Sequence, residues 1–170
     1  MDLVATHQRL LIGAAMRTTG PMIECGVGWY STPLLHEIAT TQQRHLRTVD
    51  NNEHWLSQFR NLQNEWHSLE LVGWWGELIL GDHYGLAFID HGQPCRREDE
   101  IRRMMDIVDV FVMHDTEEDF AYGYGRVMPM FKYKYTDKCQ KAWTTIASNV
   151  VDVSNWFCQL PPCEPSVEVT

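Results

Sequence analysis

The 170-residue sequence is poor in basic residues: 14 lysines and arginines stand against 23 aspartates and glutamates, a formal net charge of −9. A protein that binds nucleic acid along its backbone needs many cationic side chains to neutralise phosphates. The charge balance therefore argues against a nucleic-acid partner. The densest basic cluster lies within the run C-R-R-E-D-E-I-R-R-M-M-D, whose mixed charges indicate a solvated helix face.

A second basic stretch, residues 132–141, contains tyrosines that could stack on bases. In a strand, however, Lys132 and Lys134 would face one side of the sheet, and Tyr133 and Tyr135 the other. The lysines and the tyrosines could then not contact the same strand of nucleic acid. We therefore predict that the protein does not bind nucleic acid.

Long apolar segments are absent as well. No apolar run approaches the roughly 20 residues that span a bilayer, and Asp2, His7 and Arg9 interrupt the segment where a signal peptide would be apolar. Five cysteines without C-x-x-C spacing indicate neither a disulfide framework nor a zinc cluster, and favour reduced thiols. These features predict a cytoplasmic protein with no membrane partner.

The sequence is long enough for one domain with its own core, and 44% of its residues are hydrophobic. We expect this domain to span residues 1–158, and residues 159–170 to form a loose tail.

Short apolar and longer amphipathic segments alternate along most of the sequence. The predicted helices are 5–18, 31–43, 52–65 and 97–108, and the predicted strands are 22–25, 45–50, 68–73, 84–90, 109–115, 132–137 and 144–154. Such alternation predicts an α/β fold with a mostly parallel sheet and helices on both faces. The last two strands lie close in sequence and are predicted to add an antiparallel pair at the sheet edge. Ligands of such sheets bind at the carboxyl ends of the strands.

The turn E-C-G-V-G-W-Y-S-T joins the first strand to the second helix. Gly26 and Gly28 permit positive φ angles and the close approach of a ligand to the backbone. No Gly-Lys-Ser/Thr follows, which excludes a P-loop, and Ser31 replaces the third glycine of a dinucleotide site. Glu24 would repel a pyrophosphate and suits a cationic amine or sulfonium, while Asp50 is placed to accept the hydroxyls of a ribose. The alternative is a turn needed only for packing, with Asp50 capping the next helix.

At these residues the sequence resembles the class I S-adenosylmethionine-dependent methyltransferases. Glu24-Cys25-Gly26-Val27-Gly28 with Ser31-Thr32 is similar to their first motif, and Asp50, followed by Asn51, is similar to the acidic residue of their second strand. Asp90 resembles the residue that ends their fourth strand. His114-Asp115-Thr116 resembles the end of the fifth strand in a subset related to small-molecule and sugar O-methyltransferases.

The resemblance extends from about Gly20 to Thr116 and implies a Rossmann-like, seven-stranded sheet whose final strand is antiparallel. It implies S-adenosylmethionine as the cofactor, with S-adenosylhomocysteine as the product. The family's acidic motif for adenine is replaced by L-V-G-W-W-G-E-L, in which Trp74 and Trp75 are candidates to stack on the base or, equally, to pack in the core. The predicted cofactor-binding residues are Glu24, Gly26, Gly28, Ser31, Thr32, Asp50, Asn51, Trp74, Trp75 and Asp90.

The candidate catalytic residues end two apolar strands at the predicted site: Asp90, His91, His114 and Asp115. Methyl transfer is a direct displacement, so alignment of the acceptor with the donor supplies much of the catalysis. A hydroxyl acceptor also needs a general base, for which we favour His114 because its ordinary pKa lies near neutrality. The alternative is that both histidines only hydrogen-bond and orient their neighbours.

A divalent metal is the remaining chemical alternative. Asp90 and Asp115, with Glu117, Glu118 or Asp119, could hold Mg²⁺. Thr116 stands where metal-dependent relatives have asparagine, so we predict no metal ligands and do not favour Mg²⁺.

The sequence thus predicts methyl transfer from S-adenosylmethionine to a small-molecule or sugar-like acceptor, with O-methylation favoured. One alternative is a domain that binds the cofactor without catalysis, as a sensor or a subunit. Another is a nucleotide-sugar or NAD-dependent enzyme, which Glu24 and Ser31 disfavour. The oligomeric state is left open, a homodimer being one option.

Overall fold

Seven strands form one sheet in the computed structural model, which describes residues 5–92 and 97–157. They are β1 (Met22–Cys25), β2 (Leu46–Asp50), β3 (His67–Leu71), β4 (Tyr84–Ile89), β5 (Val108–His114), β6 (Tyr133–Asp137) and β7 (Thr144–Ser148). The strand order is β3-β2-β1-β4-β5-β7-β6. The first five strands are parallel, and β7 runs antiparallel to both β5 and β6. The predicted Rossmann-like sheet with antiparallel C-terminal pairing is confirmed.

The helices are α1 (Gln8–Ala15), α2 (Thr32–Gln42), α3 (Glu53–Ser57), α4 (Arg97–Met104), α5 (Asp119–Tyr122) and α6 (Tyr124–Val127). Alternate residues of each strand face opposite sides of the sheet, so Met22 and Ile23 belong to different cores. The core that contains Met22 is completed by α1 and α2, and the core that contains Ile23 by α4 and α6. The prediction of helices on both faces is confirmed.

The predicted helix over residues 52–65 is wrong in its second half. After α3 the chain forms only a 3₁₀ turn at Arg60–Leu62. The Asn64 side chain accepts hydrogen bonds from the backbone N–H groups of Trp66 and His67, and so stabilises a turn. The predicted strand 144–154 likewise ends at Ser148, whose hydroxyl accepts the N–H groups of Val150 and Val151.

The two cysteines of the described residues differ in state. Cys25 is a free thiol buried in the core, whereas Cys139 is disulfide-bonded, so the expectation of reduced thiols is wrong for Cys139. Within the described ranges, no helix combines the length and the apolar composition needed to cross a bilayer. The predicted tail, residues 159–170, and the predicted domain end at residue 158 lie outside the described residues.

Candidate functional site

A cavity of about 220 Å³ lies at the carboxyl ends of β1, β2 and β4. It is lined by Gly26, Val27, Asp50, Asn51, Asn52, Trp55, Asp90 and Gly92. A larger cavity of about 510 Å³ lies at the opposite edge, where the same strands begin near His45 and Tyr84. Open α/β sheets bind ligands at the carboxyl edge, where the loops that follow the strands converge. The smaller cavity is therefore the candidate site.

The glycine turn is shaped by a close approach between two loops. Gly26 has a φ angle of +99°, and a Cβ atom there would lie 2.6 Å from the backbone of His91. Only glycine fits this position without moving the loop that follows β4. The backbone N–H of Gly28 donates to the Thr32 hydroxyl at 2.9 Å, which ties the turn to the first residue of α2.

Asp50 links the glycine turn to the end of β2. Its carboxylate accepts the backbone N–H of Val27 at 2.9 Å and that of Asn52 at 2.8 Å. The side chain still lines the cavity, and each carboxylate oxygen can accept more than one hydrogen bond. Asp50 therefore fixes the turn and remains able to accept hydroxyls of a ligand. The cap of α3 is made instead by Asn52, which accepts the N–H of Trp55.

Glu24 lies behind the turn rather than in the cavity. Its carboxyl is fully buried and accepts the Thr48 hydroxyl at 2.7 Å. Burial raises the pKa of Glu24 to about 7, although the hydroxyls of Ser31, Thr48 and Thr32 favour its ionised form. In this position Glu24 supports the start of α2 and is not among the described cavity-lining residues, although the sequence predicted it to face the ligand. Ser31 and Thr32, also buried, are not among the described cavity-lining residues.

Asp90 and His114 form a hydrogen-bonded pair at the far side of the cavity. The Nδ1 atom of His114 lies 3.1 Å from Asp90 Oδ1, and its Nε2 atom lies 3.0 Å from the Thr6 hydroxyl. Thr6 donates its own proton to the carbonyl of Ala142, so it can only accept from His114. With Asp90 ionised, this pattern assigns a proton to both ring nitrogens of His114 and a positive charge to the imidazole.

The electrostatic environment agrees with this protonation. Burial alone lowers the pKa of His114, but the hydrogen bond to Asp90 and the charges of Asp90 and Asp115 raise it above its ordinary value. Burial raises the pKa of Asp90, yet the hydrogen bond and charge of His114, with the charge of Arg97, bring it below the usual range. A protonated imidazole cannot accept a proton. The expectation that His114 is a ready general base is therefore not supported by this geometry.

Arg97 joins the ends of β4 and β5. The buried guanidinium donates to the backbone carbonyls of His91 and His114 at 2.8 and 2.7 Å. It also lies 3.1 Å from both Asp90 and Asp115. Asp115 has a φ angle of +54°, which turns the chain sharply after β5 and brings its carboxylate back to Arg97.

His91 and the two predicted tryptophans lie elsewhere. His91 is fully buried, stacks on Trp75 with ring centroids 4.1 Å apart, and lies 3.3 Å from Glu100. Trp75 is buried beneath it, and Trp74 is exposed; neither is among the described residues that line the cavity. The three predicted site residues therefore lie outside the described lining of this cavity. The aromatic residue that does line the cavity is Trp55, whose indole N–H donates to the carbonyl of Val27.

Comparison of the whole structure with solved structures finds methyltransferases. The O-methyltransferase TomG from Streptomyces achromogenes, solved with S-adenosylmethionine, matches with a TM-score of 0.61 and 13% identity over 85% of this chain and 79% of its own. Human methyltransferase-like protein 13, solved with S-adenosylhomocysteine, matches with a TM-score of 0.60 and 12% identity over 85% and 82%. The precorrin-6y C5,15-methyltransferase of Geobacter metallireducens matches with a TM-score of 0.57 and 11% identity over 82% and 86%.

This chain has the fold of the class I S-adenosylmethionine-dependent methyltransferases. Compared by sequence, it matches no protein-family model and no curated protein. The likeness to these solved structures therefore concerns the fold and leaves the acceptor undetermined.

The Mg²⁺ set considered from the sequence does not assemble on this methyltransferase fold. The Arg97 guanidinium lies between Asp90 and Asp115, where a shared cation would have to bind. Glu117 accepts the backbone N–H of Trp143, and Asp119 accepts that of Gly125. These carboxylates are thus engaged in fixing the chain after β5.

The sequence analysis did not identify three residues that contact Asp90 or His114 at the ends of β4 and β5: Thr6, His7 and Arg97. The run that contains Arg97 was expected to form a solvated helix face, but Arg97, Glu98 and Glu100 are buried. Their burial would have been detectable only from the apolar residues Ile101 and Met104, which place the same face of α4 in the core. Thr6 and His7 lie before α1, outside any pattern that would mark them as site residues. They contact His114 only in the folded protein, more than 100 positions away in sequence.

Proposed function

We propose that the protein transfers the methyl group of S-adenosylmethionine to a small-molecule acceptor, most readily at an oxygen atom. The observation that carries the proposal is the cavity at the carboxyl edge of a methyltransferase fold, bounded by the glycine turn and Asp50 on one side and Asp90 on the other. That arrangement supports a nucleoside near Asp50 and a reacting group near Asp90.

The cofactor is supported by the charges around the cavity. Asp50 offers carboxylate oxygens for the hydroxyls of a ribose, and Asn51 and Trp55 line the cavity beside it. The lowered pKa of Asp90, caused by His114 and Arg97 against the opposing effect of burial, keeps that carboxylate ionised. The charge of Asp90 is balanced by His114 and Arg97, so the carboxylate that makes the cavity unfavourable for a pyrophosphate is Asp50.

These residues support catalysis by aligning the acceptor with the methyl group more than by removing a proton from the acceptor. His114 is a donor at both nitrogens in this arrangement, so it would orient Asp90 rather than remove a proton. Positioning the nucleophile in line with the methyl group supplies much of the rate enhancement of such a displacement. We therefore infer an acceptor that ionises readily, such as a phenolic or enolic hydroxyl.

A small acceptor is supported by the charge distribution. Lys134 donates to the carbonyl of Phe131. The Lys132 ammonium lies 4.7 Å from the ring centre of Tyr133, so the predicted separation of these two side chains is wrong, because Lys132 precedes β6. Tyr133 and Tyr135 pack against the core that contains Met22, so their rings are not presented for base stacking. With a net charge of −9, we expect no binding to tRNA or single-stranded DNA at about 150 mM salt, as a gel-shift assay would show.

Calorimetry with S-adenosylhomocysteine, NAD and UDP-glucose tests the ligand class. We expect only the first to bind. Asp50→Ala should weaken binding about 10- to 100-fold, since a hydrogen bond to a charged group contributes about 1.5–3 kcal/mol. Asp82→Ala is the matched control, because Asp82 is exposed and lines the cavity at the amino edge. Binding of NAD or UDP-glucose in place of S-adenosylhomocysteine, or equal affinity in folded Asp50→Ala, would contradict the proposal.

Catalysis is tested separately by following formation of S-adenosylhomocysteine with phenolic, sugar and amine acceptors. Turnover with an oxygen acceptor is the expected result. Cofactor binding without turnover on any of them would instead favour a domain that binds S-adenosylmethionine as a sensor or a subunit.

A further inference from the structure

Two histidines and an aspartate meet in the buried space between α1 and the ends of β4 and β5. His7 precedes α1, Asp90 follows β4 and His114 ends β5. One nitrogen or carboxylate oxygen from each residue lies within 4.8 Å of the other two. The rings of His7 and His114 meet edge to face with centroids 4.7 Å apart. His7 is separated from Asp90 by 83 positions, and Asp90 from His114 by 24.

His7 has no other role that the described contacts explain. Its side chain is 98% buried, since only 2% of the residue is exposed, and neither ring nitrogen makes a hydrogen bond within the described part of the chain. The Tyr30 backbone carbonyl lies near the ring and accepts the Gln8 side-chain amide at 2.9 Å. Buried polar groups are nearly always paired, so an imidazole with two unpaired nitrogens calls for a missing partner. The His7 ring packs against the ring of His114, so the missing partner would lie beside His114.

We propose that His7, Asp90 and His114 bind one divalent first-row transition-metal ion through two imidazole nitrogens and one carboxylate oxygen. This donor set suits Zn²⁺, Co²⁺, Ni²⁺ or Fe²⁺, whereas Mg²⁺ and Ca²⁺ prefer oxygen ligands. Ligand atoms about 2.1 Å from a metal lie about 3.0–3.4 Å from one another, so the three groups need to close by roughly 1–2 Å. The site differs from the all-carboxylate Mg²⁺ set and does not depend on methyl transfer.

The groups around the three ligands are compatible with a bound cation. Within residues 5–92 and 97–157, the contacts of the Asp90 carboxylate involve Oδ1, which leaves Oδ2 for the metal. The nearby Arg97 guanidinium opposes a cation, but Asp115 lies 3.1 Å from it and offsets its charge. Only a neutral imidazole coordinates a metal, so binding releases one proton of His114 to solvent and replaces its hydrogen bond either to Thr6 or to Asp90. Because three protein ligands leave coordination positions open, a water or a ligand oxygen could complete the site.

Titration of the metal-free full chain with Co²⁺, followed by visible absorption and calorimetry, tests the proposal. We expect one Co²⁺ per chain, absorption bands typical of mixed nitrogen and oxygen ligands, and no competition by equimolar Mg²⁺. His7→Phe keeps an aromatic ring beside Phe88 and His114 and removes both nitrogens; it should weaken binding about 100-fold or more. The proposal would be overturned if the wild type bound no Co²⁺ saturably, or if folded His7→Phe bound Co²⁺ with the same affinity.

His36→Phe is the matched control, because His36 and His67 form the other close histidine pair, with their Nδ1 atoms 3.1 Å apart. It should leave Co²⁺ affinity unchanged. A readout on the wild type guards against unfolding of the His7 variant: long-range ¹H–¹⁵N spectra with Zn²⁺ should shift the ring nitrogens of two of the eight histidines. Those two signals should persist in His36→Phe. Their loss in that variant would place the metal at His36 and His67 and contradict the proposal.

Discussion

The two sides of the candidate site are held together by different forces. On the side of β1 and β2, Gly26 donates its N–H to the Val49 carbonyl at 2.8 Å, and the Asp50 carboxylate accepts two backbone N–H groups. On the side of β4 and β5, charged side chains contact one another around Arg97. The first side depends on backbone conformation, and the second depends on the pairing of buried charges. Their responses to substitution should differ accordingly.

The largest effect is expected on the charged side, from Arg97→Met. This change leaves Asp90 and Asp115 without their shared cation and removes the guanidinium donor to the His91 carbonyl, while the His114 carbonyl keeps the Tyr124 hydroxyl. Removing one partner of a buried charge pair costs about 3–5 kcal/mol, which urea unfolding would measure. Arg60→Met is the control, because its pair with Glu53 is half exposed and worth at most about 1 kcal/mol. Similar losses in both variants would mean that Arg97 does not organise the site.

On the backbone side, Gly26→Ala should destabilise the protein because its Cβ would lie 2.6 Å from the His91 backbone. The positive φ angle alone costs about 1–3 kcal/mol for a residue other than glycine. Gly92→Ala is the matched control in the same cavity, since a Cβ there meets nothing within 4 Å. Thermal unfolding of the two variants should therefore diverge. Equal stability would show that the two loops do not approach as closely as described.

Glu24→Gln tests the support beneath the turn through its pH dependence. The folded-state pKa of Glu24 is raised by burial from 4.5 to about 7, so its contribution to stability is full below pH 4.5 and is lost as the pH rises through 7. Glutamine cannot ionise, and at pH 8 the variant should be more stable than the wild type by about 1–3 kcal/mol. The two proteins should be nearly equal at pH 4.

The matched control is Glu37→Gln, which changes an exposed glutamate of α2. Its difference from the wild type should not change between pH 4 and pH 8. If Glu24→Gln behaves in the same way, the carboxyl of Glu24 is solvated and faces the cavity, as the sequence first indicated.

The smallest effect concerns the protonation of His114. Thr6→Val removes the acceptor of the Nε2 proton while keeping the shape of the side chain, so the charged imidazole loses a hydrogen bond. The pKa of His114 should fall, as an NMR titration of the histidine ring would show. Thr18→Val, which alters a hydroxyl at the other end of α1, is the control. A pKa of His114 that does not change in Thr6→Val would contradict the assignment of a proton to both nitrogens.

The sequence identified part of each side of the site, and the physical reasons differ. Gly26 and Asp50 lie at the ends of neighbouring strands, so local pattern and strand order suffice to bring them to one cavity, whereas Gly28 is not among its described lining residues. The sheet was predicted on the same basis. The orientation of the Glu24 side chain was not predicted. A shift of one residue along a strand moves a side chain to the opposite face of the sheet, and the sequence does not fix that position.

On the charged side, Asp90, His114 and Asp115 were predicted from the strand ends, but their partners could not be predicted from local pattern. Arg97 stands among residues of mixed charge, and its burial depends on how α4 packs against the sheet. Thr6 reaches His114 across 108 positions, a contact that only the assembled fold creates. The adjacent tryptophans show the same limit, since Trp75 is buried and Trp74 is exposed although both are aromatic and follow the same strand.

A crystal structure of the protein with S-adenosylhomocysteine tests the central claim most directly. We predict ligand density in the cavity at the carboxyl edge, with the ribose hydroxyls within hydrogen-bond distance of Asp50 and the sulfur atom on the side of Asp90. Density in the larger cavity near His45 and Tyr84 would contradict the assignment of the site. So would a ligand at the carboxyl edge that contacts neither Asp50 nor Asp90.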